Sequence, residues 1–368
     1  MMRVCVPLAA ALLLAPAPRA AAEAKIEPDL IYGRKDGMAL TLDVIRPDKP
    51  NGAGILWMQS GGWYSIWAEP KALQGASKPF LDKGFTMFIV RHGSAPKYAV
   101  PDAVADVRRA VRFVRLKAKD HGVDPERLGV MGGSAGGHLS LMLGTTGDDG
   151  NPSAKDEVLR QSSRVAAVVA LFPPTDLRGF TTDPPAEIKK HPGLKPPLTF
   201  DAKLEPEVSP LLKASEKSAP AIIIHGDKDL LVPIEHGQKM IQALEKFKVP
   251  CELVTVEGAG HGYSPKQNKE IVLPAMVRWF ETHLAAKKAL SRIRKTRRGA
   301  RRYTLPRRDF EVSVKPRCAS EVRRYRLGDS TRCLADSSPR SPWGWPCPRR
   351  PPRSPPTSSA SPRSTPST

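Results

Sequence analysis

The chain has 368 residues, 40% of them hydrophobic, and a formal net charge of +21. That apolar share excludes a sequence too polar to fold, and after the first two dozen residues no apolar run is long enough to span a bilayer. The charge is a poor guide to partners: residues 291–368 carry 20 Lys/Arg against 5 Asp/Glu, leaving a net of only +6 on the first 290 residues.

Arg3 precedes an apolar core from Val4 to Ala15, and small residues follow through Ala20-Ala21-Ala22. This predicts a secretory signal peptide over residues 1–22, cleaved near Ala22, and hence a secreted or periplasmic protein. Between that segment and residue 291 the one cysteine is Cys251, so residues 23–290 must fold without an internal disulfide. They are enough chain for one α/β domain.

Leu30–Tyr32 and Met38–Val44 read as an antiparallel pair around the turn signal Lys35-Asp36-Gly37. Strand Ile55–Met58 leads into Gln59-Ser60-Gly61-Gly62-Trp63-Tyr64, and a helix is expected around Lys71–Leu81. After strand Thr86–Val90, the stripe Val104, Val107, Ala110, Val111 and Val114 predicts a helix from Asp102 to Lys119. Its Arg108, Arg109, Arg112 and Lys117 are expected on a solvated face. Strands Leu128–Met131, Val165–Leu171, Ala221–Ile224 and Cys251–Val256 follow, with a helix opened near Pro233 and a last one over Leu273–Lys287. Strands alternating with helices predict a mostly parallel sheet covered on both faces.

The chemistry begins at Gly132-Gly133-Ser134-Ala135-Gly136-Gly137-His138, directly after a strand. A strand that ends in G-x-S-x-G and turns into a helix exposes the serine hydroxyl at the top of the sheet, as a nucleophile elbow. In the chain order expected of a Ser–acid–His triad, Asp229 stands in His225-Gly226-Asp227-Lys228-Asp229 after the buried strand Ala221–Ile224. It is preferred to Asp227 because it precedes the Leu230-Leu231-Val232-Pro233 helix start. His261, between Gly260 and Gly262 at the exit of the last strand, is the expected base. The oxyanion donors are expected to be the amides of Ala135, Gly61 and Gly62. His138 is expected to pack on the elbow helix and His225 to be structural.

Together these residues resemble the esterase/lipase branch of the α/β-hydrolase superfamily, over roughly Asp29 to Leu284. The likeness is to enzymes related to feruloyl/acetyl-xylan esterases and to hormone-sensitive-lipase-like carboxylesterases. It implies an α/β-hydrolase fold with a small cap insertion and ester hydrolysis through an acyl-enzyme, with no metal and no cofactor. In that family an H-G-G-G/A-W loop forms the oxyanion hole. Here Gly61, Gly62 and Trp63 match it, while Gln59 and Ser60 stand for the leading histidine and first glycine. The family's Y-R-L-A-P-E-like segment is Val90-Arg91-His92-Gly93-Ser94-Ala95-Pro96 here, so His92 reads as a loop histidine of open role. Val208-Ser209-Pro210-Leu211 resembles the family's S-P-L/I element.

The expected substrate is a small-molecule or polysaccharide ester, acetylated or feruloylated polysaccharide included. Trp63, Tyr64 and Trp67 are candidates to stack on it, although packing under a cap suits them better. Residues 173–220, proline-rich and without periodicity, are the candidate cap. Residues 291–368, with twelve prolines and many Ser and Arg, are expected to be disordered. They read as a basic arm, a linker or, preferred, an out-of-frame translation of a GC-rich gene. Two other functions stay in view: a prolyl-oligopeptidase-like serine peptidase, and a polyanion-binding protein acting through the basic tail. Nucleic acid is not an expected partner of the folded part.

Overall fold

The computed structural model describes residues 24–286 and a three-residue strand at 323–325. The segment read as a signal peptide and the rest of the tail lie outside the described residues. In chain order the elements are β1 (Lys25–Lys35), β2 (Met38–Arg46), β3 (Gly54–Met58), β4 (Ser60–Gly61), β5 (Tyr64–Ser65), α1 (Pro70–Leu81), β6 (Thr86–Val90), α2 (Val100–Leu116), β7 (Leu128–Gly133), α3 (Ala135–Thr146), β8 (Ala167–Leu171), α4 (Ala186–Lys189), β9 (Ala221–Gly226), α5 (Glu235–Lys246), β10 (Cys251–Val256), α6 (Pro265–Gln267), α7 (Leu273–His283) and β11 (Arg323–Tyr325).

Among the described residues nine strands form one sheet in the order β1-β2-β6-β3-β7-β8-β9-β10-β11. The β1–β2 and β2–β6 pairs are antiparallel and all the others parallel. The β1–β2 hairpin closes at Lys35↔Met38 over Asp36-Gly37, both at positive φ, as the turn signal requires. The central strands are buried on both faces and therefore read as continuous apolar runs. Leu56, Met58, Phe88 and Val90 pack towards α2, α3 and α5, whereas Ile55, Trp57, Met87 and Ile89 pack towards α1 and α7. This is the α/β-hydrolase fold, a mostly parallel sheet with helices on both faces.

β6 and β7 flank β3 on opposite sides, so the chain reverses its direction of growth across the sheet at β3. Crevices form outside the C-terminal strand ends at such a switch point. The loop after β3 and the turn after β7 both open there, which is why residues 59–65 and 134 meet although they are seventy positions apart.

Two expectations need correction. The long helix stops at Leu116 and continues as a 3-10 turn over Ala118–His121, closed by Gly122 at φ +68°. Its arginines are not a solvated face. Arg112 is 8% exposed and holds the Asp148 carboxylate at 2.7 Å. Arg108 donates to Thr146 Oγ1, Arg109 to Tyr32 O and Asp156, and Arg115 to the carbonyls of Ser162 and Arg164. The connection between α3 and β8 has no helix or strand of its own, and the guanidinium donors bind carbonyls and carboxylates that no ladder occupies.

Residues 173–220 fold over the switch point as α4 and four short 3-10 turns. The Glu205 carboxylate, buried within them, accepts from the amides of Gly179 and Thr181 and from the Thr181 hydroxyl at 2.6–2.7 Å. At the far edge, β11 pairs in parallel with Val254–Val256. These three residues belong to the stretch expected to be disordered, and they depart from that expectation because β10 otherwise leaves backbone donors and acceptors unpaired on its outer side. Among the described residues no helix is long and apolar enough to cross a membrane.

Candidate active site

Ser134 occupies the turn between β7 and α3 at φ +52°, ψ −119°, a region that L-residues adopt only under constraint. The turn is tight because nothing larger than glycine fits around it. A Cβ on Gly132 would lie 2.4 Å from the backbone of Gly136, and one on Gly136 would lie 2.6 Å from Met58 O. Ser134 N donates to Leu171 O, pinning the turn to β8.

The structure brings Ser134, His261 and Asp229 together. His261 Nε2 lies 2.9 Å from Ser134 Oγ, and His261 Nδ1 lies 2.8 Å from Asp229 Oδ2. Asp229 is 5% exposed, and its other oxygen accepts from the amides of Leu231 and Val232. Burial alone would raise the pKa of this carboxyl. Hydrogen bonds from His225, His261 and the Val232 amide, with the field of His261, outweigh it and hold the pKa far below the usual carboxylate range. A charged acceptor at Nδ1 fixes the tautomer, leaving the Nε2 lone pair to receive the serine proton. Asp227 faces away and accepts from Gly258 N at 2.6 Å.

Two aromatic neighbours of the histidine had no sequence signal. Phe172 stacks on the His261 ring with centroids 4.6 Å apart, and Tyr263 backs Phe172 at 5.3 Å. Phe172 sits at φ +38° immediately after β8, so its ring position comes from an unusual backbone turn. His225 is buried, as expected of a structural histidine, with Nε2 2.8 Å from Val232 O and 3.4 Å from Asp229 Oδ2.

Gly61 and Gly62 lie on a small hairpin. β4 and β5 pair as Ser60↔Ser65 and Gly61↔Tyr64, and the two turn residues, Gly62 and Trp63, have φ +55° and +59°. A bulky residue in that conformation costs on the order of 1–3 kcal/mol and persists only where its surroundings enforce it. At the base of the hairpin His92 is buried, with Nε2 2.9 Å from Ser60 Oγ and Nδ1 2.7 Å from Gly93 O, while its amide donates to Ser65 Oγ. Burial pushes the His92 pKa down to about 4, so the ring is neutral: it donates to the carbonyl and accepts from the serine. Two of the departures from the family pattern, Ser60 and His92, are therefore hydrogen-bonded to each other.

Ser134 and His261 open on a cleft of about 300 Å³. Its lining includes Trp57, Phe80, Met131 and Met276 together with Trp63, Pro174, Ile188 and Leu194, so residues 173–220 form part of its wall. The Leu194 side chain lies over Gly62, where an added Cβ would meet it. Of the three aromatic candidates for substrate contact, Trp63 lines the cleft, whereas Tyr64 stands on the second strand of the hairpin and Trp67 is 59% exposed, both outside that lining. Among the described residues no group of three or more His, Cys, Asp or Glu is disposed to hold a metal ion.

The BD-FAE family model matches residues 42–244. The chain is 26% identical over 230 residues to the probable carboxylic ester hydrolase LipM of Mycobacterium tuberculosis, covering 59% of this chain and 51% of that protein. It thus spans about half the length of this curated relative. Among solved structures it resembles an acetyl ester-xyloside bifunctional hydrolase from Caldicellulosiruptor lactoaceticus (26% identity, TM-score 0.59, 69% of this chain and 95% of that one). It also resembles Thermogutta terrifontis esterase 2 phosphoramylated by tabun (25% identity, TM-score 0.57, 74% of this chain and 98% of that one). With the family model covering more than half of its length, the chain belongs to the BD-FAE family, within the esterase branch of the α/β-hydrolases.

Proposed function

We propose that the protein hydrolyses carboxylic esters through an acyl-enzyme on Ser134. The observation that carries this reading is the unbroken hydrogen-bonded series from Ser134 Oγ through His261 to the buried Asp229 carboxylate, opening on the cleft. His261 Nε2 takes the hydroxyl proton as Oγ attacks the acyl carbon. The amides of Ala135, at the N-terminus of α3, and of Gly61 and Gly62 hold the oxyanion. Collapse expels the alcohol oxygen, which leaves with the proton from His261. A water then repeats the sequence on the acyl-enzyme and releases the acid. Asp229 keeps the imidazolium oriented throughout.

The lining of the cleft bears on the substrate. Apart from Ser60, Ser134, His261 and the two indoles, its side chains are hydrocarbon, thioether or phenyl. Such a wall favours an apolar ester substituent, and a sugar chain would have its hydroxyls satisfied only outside the cleft. Residues 173–220, which contribute Pro174, Ile188 and Leu194 to the wall, are the cap. The signal-like residues 1–22 support export of the enzyme, as a secreted or periplasmic protein.

A panel of p-nitrophenyl esters tests the reading. We expect a burst of about one p-nitrophenol per chain, and kcat/KM rising up to about fourfold per added acyl methylene from acetate to hexanoate, since burying one CH₂ is worth ~0.8 kcal/mol. No turnover of any ester would overturn the hydrolase reading. A flat or falling series would overturn the apolar preference alone.

A further inference from the structure

The hairpin that carries Gly61 and Gly62 has two residues per strand, too short a ladder to hold its own position. Its base is tied through Ser60 and His92, and its tip is held elsewhere. The Trp63 indole N–H donates to His138 Nδ1 at 3.1 Å, with the rings edge to face at 5.5 Å. His138 is fully buried and its Nε2–H donates to Val208 O at 2.7 Å, in the segment that forms the cap. The two contacts fix one tautomer: proton on Nε2, lone pair on Nδ1 facing the indole donor. His138 also lies one turn along α3 from the elbow, with its amide bonded to Ser134 O. One imidazole therefore connects the helix start that presents the Ala135 amide to the hairpin that presents the Gly61 and Gly62 amides.

We propose that His138 is a positioning residue that sets the spacing between the two halves of the oxyanion hole, acting through Trp63. The inference rests on the ester-hydrolase reading above. It gives the left-handed turn at Trp63 a purpose: that backbone conformation aims the indole N–H inward at the imidazole instead of outward into the cleft. Removing the bond leaves Ser134, His261 and Asp229 untouched and frees the hairpin tip. An oxyanion, which needs donors within hydrogen-bond distance of a fixed point, is then stabilised less, while the neutral substrate binds much as before.

The test uses His138→Phe, which keeps a planar ring and loses both polar contacts, and Trp63→Phe, which loses only the N–H. Active sites are titrated by the p-nitrophenol burst, so that unfolded protein is not counted. We expect kcat per site on p-nitrophenyl butyrate to fall roughly 10- to 100-fold in each variant, as for a reacting group displaced by about an ångström, with KM changing less than threefold. Affinity for an arylboronic acid, whose tetrahedral serine adduct places an oxygen in the hole, should fall in step with kcat/KM. The double variant should be no worse than about twice the more damaged single, because both substitutions break the same bond. Should His138→Phe fail to fold, Trp63→Phe carries the test alone. The proposal is overturned if the soluble variants keep kcat per site within threefold of the parent while losing only thermal stability. It is equally overturned if the two losses multiply in the double variant. Absence of a burst in the parent would instead count against the hydrolase reading.

Discussion

Ser134→Ala is expected to lower kcat on p-nitrophenyl esters by about four to six powers of ten, and Ser134→Ala with His261→Ala to be no slower than either alone, because these groups act as a unit. Residual turnover within tenfold of the parent would remove Ser134 from the mechanism. A third variant separates chemistry from backbone. At φ +52°, ψ −119° Ser134 occupies a conformation open to glycine and strained for any side chain. Ser134→Gly should be as inactive as Ser134→Ala yet more stable than it, by roughly 1 kcal/mol once the greater freedom of glycine in the unfolded chain is set against relieved strain of about 1–3 kcal/mol. In a domain of this size that is a rise of roughly 2–4 °C in Tm. Equal or lower Tm for Ser134→Gly would show that the elbow stores no strain.

The second large effect is loss of stability in mild acid. Burial pushes the pKa values of His92 and His138 down to about 4, and both rings are neutral in the folded protein. In the unfolded chain a histidine titrates near 6.5. Between those values the unfolded state binds protons that the folded state refuses, so stability falls as pH drops from 6.5 to 4 and is unaffected above that window. The expected loss is on the order of 3 kcal/mol for each ring, together comparable to the whole stability of many domains. Half-buried His236 acts in the same direction. The depressed Asp229 carboxyl adds a further loss at lower pH, as the acid falls through its folded value. Asp106, lifted by burial, opposes them with a single proton. Urea unfolding at pH 7, 6, 5 and 4.5 checks this: the midpoint should fall steadily below pH 6.5, and His138→Phe should flatten the slope by about one proton. A midpoint constant from pH 7 to 4.5 would exclude uncharged burial of these rings.

What the sequence revealed was whatever is local. G-x-S-x-G after β7, the aspartates after β9 and the glycine-flanked His261 after β10 are each short patterns at a strand exit, and the strand order then dictates that they meet. The hairpin at 60–65 was legible as a glycine-rich loop, but its left-handed turn at Trp63 was not, because tryptophan carries no propensity for it. Partners far apart in the chain were also invisible. Trp63 to His138 spans 75 positions and Ser60 to His92 spans 32, and nothing periodic links them. The arginines of α2 misled for a related reason. Charge at an off-stripe position usually means water, yet here a connection without a ladder takes up those donors. Phe172 left no trace at all, since its place beside His261 comes from a turn angle and not from a motif.

The contact between Leu194 and Gly62 limits how this scaffold can be rebuilt. Residues 173–220 and the Gly61–Gly62 hairpin meet there, and the same segment is joined to the helix after Ser134 by the bond from His138 to Val208 O. Grafting the corresponding segment from a relative is therefore expected not to be a modular exchange: a bulkier side chain in place of Leu194 would press on the Gly62 backbone, and if that amide serves the reaction as proposed, selectivity and speed would shift together.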